Sequence, residues 1–188
     1  MKLSDKKTAL LLIDVQKAFQ DEEYWGGNRN NKNAEIVCGE ILKRWRALNL
    51  PVFHVRHSST SLNSKLNKNN EGFEFNENVT PIKGEPVITK NVNSAFIGTN
   101  LKEQLDVIGI NTLVIVGITT NHCVSTTTRM AGNFGYETYL ISDATATFDR
   151  KGVNGEKYDA EVMHLTTLAS LNEEFAIVLT SEQLLNMI

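Results

Sequence analysis

Six short apolar runs, separated by longer amphipathic stretches, constrain this chain more than any other feature of its sequence. They occupy 8–13, 51–55, 86–89, 112–116, 137–141 and 175–179. Runs this short suit strands that are covered on both faces, and their alternation with helical patterns marks a parallel sheet between two helical layers. Between the runs, Val37, Ile41, Trp45 and Leu48 recur at helical spacing, and Asn100 followed by Glu103 reads as the capped start of a second helix. A third helix runs from Cys123 to Phe134 and stops at Gly135. Val162, Leu165 and Ala169 mark a fourth, and Thr180 with Gln183 boxes the start of a short C-terminal one. The expectation is one α/β domain over 1–188, with a six-stranded, mostly parallel sheet and a Rossmann-like arrangement of helices on both faces.

Composition narrows the partners. A formal net charge of -3 without a basic block gives no footprint for nucleic acid or for a membrane surface. The first apolar run is only six residues long and has no small-residue cleavage site after it, so no signal peptide or membrane span is expected. The two cysteines lie in unlike contexts, which argues against a disulfide framework or a structural zinc site. A cytoplasmic protein acting on a small molecule follows. The turn after the first run lacks G-x-G-x-x-G, so no dinucleotide is expected, and no cofactor is.

Two stretches break the rhythm. Residues 58–84 are polar and asparagine-rich, and they carry Phe73 and Phe75, aromatics suited to a pocket or a neighbouring subunit. Residues 24–31, which include Trp25, form a second loop near the end of the first run.

Open parallel sheets bind ligands beyond the carboxyl ends of their strands. Asp14 ends the first run, Lys90 ends the third, and Cys123 follows the fourth where a helix begins. Unpaired N–H groups at a helix start favour a thiolate, so a lowered Cys123 pKa is expected. Asp14 can then take the thiol proton, Cys123 can attack a carbonyl or nitrile carbon, and Lys90 can hold the carboxylate. Phe19, Trp25 and Phe96 are expected to wall the pocket. Gln16 either orients a substrate or bonds backbone, and Arg56 supplies either a fixed cation near the pocket or a surface ion pair. On an extended strand His54 and His57 face opposite sides, so no shared metal is expected. His122 and His164 receive no role, and Cys38 is read as packing.

Two rival readings use the same thiol. His122-Cys123 with Arg129 satisfies the H-C-x5-R spacing of cysteine phosphatases, but that loop wants a glycine where this chain has Thr126, and it leaves Asp14 and Lys90 unexplained. A non-catalytic thiol sensor is the other.

The motifs Leu12-Ile13-Asp14-Val15-Gln16 with Phe19, Lys90 with Ser94-Ala95-Phe96, Gly117, Thr119, Cys123-Val124, Thr127, Ala131, Gly135 and Asp143-Ala144 span nearly the whole chain. In these residues it resembles the cysteine hydrolases of the isochorismatase-like superfamily, which includes nicotinamidases and N-carbamoylsarcosine and ureidoacrylate amidohydrolases. The resemblance implies a strand order of 3-2-1-4-5-6 and a triad of Asp14, Lys90 and Cys123. It also implies a cis peptide between Ile118 and Thr119, backbone N–H groups of Thr119 and Cys123 aimed at an oxyanion, and a homo-oligomer, dimer or tetramer. That order puts the third strand at an edge, from which Lys90 must reach inward. Nicotinamidases of the family carry an aspartate and histidines around a metal after the second strand. This chain has His54-Val55-Arg56-His57-Ser58 there, without a carboxylate, so no metal is expected. Isochorismatases proper hydrolyse a vinyl ether without a nucleophilic thiol, so Cys123 favours an amide, ureide or carbamoyl C–N bond. Isochorismatase-like or nitrile hydrolysis is the alternative on this scaffold.

Overall fold

The 8–13 run is buried at every position, and the sheet is built around it. The computed structural model describes residues 2–188. In chain order the regular elements are β1 (Thr8–Ile13), α1 (Glu22–Trp25), α2 (Ala34–Ala47), β2 (Val52–His57), β3 (Val87–Lys90), α3 (Leu101–Val107), β4 (Thr112–Ile118), α4 (Ser125–Asn133), β5 (Glu137–Ala146), β6 (Arg150–Lys151), β7 (Lys157–Tyr158), α5 (Ala160–Leu171), β8 (Ile177–Leu179) and α6 (Ser181–Leu185). The main sheet has the order β3-β2-β1-β4-β5-β8, and every neighbouring pair in it is parallel. The expected order therefore holds, with the sixth apolar run becoming β8. A short antiparallel pair, β6 with β7, intervenes and was not foreseen.

Period-two alternation along the strands divides the core into two layers. Ala9, Leu11 and Ile13 of β1 pack with Val55, Leu113 and Ile115 beneath α3, α4 and α5. Leu10 and Leu12 face the other way, with Val114 and Val116, against Ile41, Leu42 and Trp45 of α2. Each side chain so buried contributes about 1.5–3 kcal/mol of hydrophobic stabilisation, which fixes the strand register and so the height of the strand ends.

Two helical details differ from expectation. In α5 the buried residues are Ala160, His164, Leu168 and Leu171, whereas Val162 and Leu165 are about half exposed. The helix carries apolar residues on most of its faces, so spacing alone could not select the inner one. At the start of α3, Asn100 is the cap residue, yet its side chain accepts from the Gln104 amide rather than from backbone. The C-terminal capping box does form, with Thr180 Oγ1 accepting from the Gln183 N–H and Gln183 Oε1 from the Thr180 N–H.

At Gly117 the backbone of β4 lies close against Ile13 of β1. The glycine φ is +133°, and a Cβ there would stand 2.0 Å from the Ile13 carbonyl oxygen. The next peptide bond, Ile118–Thr119, is cis. Because neither the backbone conformation nor the space admits a side chain at 117, Gly117→Ala should lower stability by about 3 kcal/mol, the upper end of ordinary substitutions. A urea unfolding midpoint equal to that of the parent chain would contradict this.

Candidate active site

The ends of β1, β2 and β3 bring three polar side chains together. Asp14 follows β1 with φ +52°, a left-handed conformation that aspartate tolerates better than most residues. Its N–H donates to the Val55 carbonyl at 2.9 Å, which ties the turn to β2. Lys90 ends the edge strand β3 in register with His57. Its side chain is fully buried and crosses the end of β2, so that Nζ donates to Asp14 Oδ2 at 2.6 Å and lies 3.2 Å from His57 Nδ1. A long lysine stem closes the gap from the sheet edge. Asp14 Oδ1 is buried and has no partner.

Cys123 sits in a wide turn, Thr120–Val124, that joins β4 to α4 through a Val124 N–H to Thr119 carbonyl bond of 3.3 Å. This i to i+5 spacing is a π-turn, a local expansion common at functional sites. Sγ lies 3.8 Å from Asn93 Oδ1. A carboxylate oxygen of Asp14, a ring nitrogen of His57 and the Cys123 sulfur are all within 4.8 Å of one another. The structure thus gathers Asp14, Lys90 and Cys123.

Electrostatics correct the expectation of a lowered thiol pKa. Burial pushes the Cys123 thiol up to about 12, with the Asp14 charge acting in the same direction and Lys90 opposing. A helix start is worth only about 0.3–1 kcal/mol and does not offset this. The resting sulfur is therefore protonated, within 4.8 Å of a carboxylate oxygen of Asp14. Burial and the Lys90 charge hold the His57 pKa below its usual range, so this imidazole is neutral, and Nδ1, facing the ammonium, is the acceptor.

These groups open onto a cavity of about 230 Å³ that also touches Thr119. Phe19 and Trp25, with ring centroids 4.7 Å apart, form one wall as expected. Ser59, Ser64 and Leu66 of the 58–84 excursion form another, and His57, Asn93, His122 and Arg150 complete it. Larger clefts of about 440 Å³ beside Arg46 and Glu85, and about 580 Å³ beside Lys17 and Lys65, are lined by no thiol or hydroxyl side chain.

Three expected pocket residues lie elsewhere. The Gln16 amide is spent on backbone: Nε2 donates to the His57 and Phe73 carbonyls, and Oε1 accepts from the His57 N–H. Arg56 points away from the cavity, its guanidinium 4.2 Å from the centre of the Phe73 ring and its Nε donating to Thr89 Oγ1. Phe96 packs into the core against Phe134 and Tyr136. Conversely, His57, Asn93 and Arg150 line the cavity without having been singled out for it. Proximity to Lys90 could have flagged Asn93. Nothing in the sequence marks Arg150, because the hairpin strand that bears it is only two residues long.

The phosphatase spacing does not become a phosphate cradle. Residues 125–129 are helical, and Arg129 lies over the Phe175 ring with its Nε donating to Ser125 Oγ. A nicotinamidase-like metal set does not assemble either. His54 is buried with Nε2 2.7 Å from Glu85, apart from His57 in the cavity. Asp14, His57 and Cys123 are close enough to share an ion, but the Lys90 ammonium already lies against two of them, so a cation's place there is filled.

Residues 8–183 match the isochorismatase domain. The chain belongs to the isochorismatase family. The uncharacterized isochorismatase family protein YrdC of Bacillus subtilis (strain 168) is 50% identical over 182 residues, 97% of this chain and 96% of that protein. A crystal structure from Chromobacterium violaceum ATCC 12472, assigned to the hydrolases of the isochorismatase family, matches with a TM-score of 0.94 and 40% identity over 100% of this chain and 96% of that one. Nicotinamidase 3 of Arabidopsis thaliana is 30% identical over 178 residues, 86% of this chain and 82% of that protein. This isochorismatase-family chain is accordingly a hydrolase, and none of its helices among the described residues is long and apolar enough to cross a membrane.

A thiol held protonated in this way alkylates slowly near neutrality. The rate of Cys123 modification by iodoacetamide should rise about tenfold per pH unit from 7 to 10, tracking the thiolate fraction. A plateau reached below pH 8 would contradict the electrostatics described.

Proposed function

We propose that the protein hydrolyses a C–N bond of a small polar molecule, an amide, ureide or carbamoyl compound, through a thioester on Cys123. The observation that carries this reading is that Asp14, one of whose carboxylate oxygens is buried without a partner, lines the same cavity as a protonated thiol, while Lys90 fixes the other oxygen. As Sγ attacks the carbonyl carbon, Asp14 Oδ1 takes the thiol proton, so sulfur becomes nucleophilic only as it reacts. Backbone N–H groups of Thr119 and Cys123 receive the oxyanion. On collapse, Asp14 returns the proton to the leaving nitrogen, the C–N bond breaks, and the acyl group remains on sulfur. Asp14 then accepts a proton from water as it attacks the thioester, and the acid departs with the thiol restored. Phe19 and Trp25 keep bulk water from the intermediate. The 30% identity to a nicotinamidase supports amide chemistry, and absence of a place for a metal at His54 and His57 separates this chain from the metal-bearing pattern. The same reading takes the enzyme to be a cytoplasmic homo-oligomer, which sedimentation velocity would check.

Intact-mass measurement after exposure to small amides, ureides and carbamoyl compounds should show a substrate-sized adduct that Cys123→Ser lacks. Asp14→Asn should slow hydrolysis by about 10²–10⁴-fold, the usual contribution of a general base. Lys90→Ala leaves a buried carboxylate unpaired and should also lower stability, by about 3–5 kcal/mol. Undiminished hydrolysis in Cys123→Ser and Asp14→Asn would end the proposal.

A further inference from the structure

Arg150 opens the β6–β7 pair, and its guanidinium lines the cavity that holds Cys123. Its charge has no protein counterpart. Nη2 lies 3.1 Å from His122 Nδ1, Nε is buried without a partner, and none of the ion pairs among the described residues includes it. The acid next to it in sequence, Asp149, is engaged by Lys157 at 2.6 Å and by the Ala160 N–H at 2.7 Å. Burial lowers the Arg150 pKa from its usual value, but a guanidinium keeps its proton in proteins.

The charges lining the cavity do not cancel. Asp14 and Lys90 neutralise each other at 2.6 Å. Burial together with a neighbouring cation holds both His57 and His122 below the usual histidine range, so both rings are neutral at pH 7. The remaining lining groups are hydroxyls, an amide, a thiol and apolar side chains. One positive charge is left over, on Arg150. His122, whose Nδ1 faces the guanidinium, carries its proton on Nε2 and offers a second donor. Arg150 is half-buried and without a protein anion, so a ligand anion in the cavity meets an uncompensated positive charge.

We infer that Arg150, with His122 beside it, forms a subsite for a carboxylate, so that the molecule acted on at Cys123 is a small monoanion. Lys90 does not compete for that carboxylate, because its ammonium is already bonded to Asp14. A planar carboxylate suits a guanidinium edge, and a cavity of about 230 Å³ limits the distance between this group and the reacting carbon. Only the identity of the bond broken rests on the hydrolytic reading above. The charge preference stands on the cavity itself.

Iodoacetate and iodoacetamide differ in little but charge, and both report the preference at Cys123 without turnover. In each case Sγ attacks the methylene carbon, a C–S bond forms, the C–I bond breaks with loss of iodide, and the thiol proton passes to base. Both reagents use the same thiolate, so the ratio of their rates cancels its ionisation. Relative to glutathione under the same conditions, the native protein should favour iodoacetate by at least about tenfold, Arg150→Lys should retain most of this preference, and Arg150→Gln should return to within about twofold of glutathione. A native ratio equal to that of glutathione, or one unchanged in Arg150→Gln, overturns the subsite. Alkylation of the buried Cys38 would identify a variant that has unfolded, and the native and Arg150→Lys ratios then decide. An acyl-enzyme without a charge preference sinks only the subsite, and a preference without an acyl-enzyme sinks only the hydrolytic reading.

Discussion

The active end of this molecule depends on one buried ion pair. Lys90 reaches from an edge strand across the end of β2 to Asp14, and neither side chain is exposed. Taking two charges out of water costs several kcal/mol per ion, so the pair adds little net stability over apolar residues of similar size. Its contribution is geometric. It fixes one oxygen of the carboxylate, leaves the other without a partner, and by meeting His57 Nδ1 also sets which nitrogen of that ring bears the proton. An unpaired buried oxygen is expensive, about 1–3 kcal/mol, so its position beside the cavity that holds Cys123 is a cost the fold carries at this end of the sheet.

Competition between burial and backbone polarity decides the state of the Cys123 sulfur. A thiol near the start of a helix suggests a thiolate, and the π-turn before α4 places Cys123 at such a position. The displacement of its pKa from near 9 to about 12 nevertheless corresponds to about 4 kcal/mol against ionisation, several times what a helix end supplies. Sequence position identifies the sulfur but not its charge, because the deciding groups are a carboxylate more than a hundred residues away and the walls that exclude water.

The same division runs through the rest of the chain. Strands were legible because their apolar runs are short and nearly continuous, and Asp14, Lys90 and Cys123 were legible because each directly follows or closely trails one. Strand order and the cis peptide came from family resemblance rather than from pattern. The pocket walls were only half legible. Phe19 and Trp25 follow β1 closely, whereas Arg150 is placed by a hairpin two residues deep, and Ser59, Ser64 and Leu66 by an excursion whose path no periodicity encodes. Gln16 and Arg56 stand beside the site in sequence; of the two readings open for Gln16 the backbone one holds, and Arg56 meets a phenylalanine ring instead of the cavity.

The excursion between β2 and β3 supplies a wall of the cavity but none of Asp14, Lys90 and Cys123, and Gln16, which bonds the end of β2 at His57, clamps the excursion to the β1 end through its contact to Phe73. One wall of the cavity and the Asp14, Lys90 and Cys123 cluster are thereby written in separate parts of the polypeptide. Substitution within this segment can reshape that wall while the acid, the amine and the sulfur keep their mutual distances, because loops tolerate change that strand ends do not.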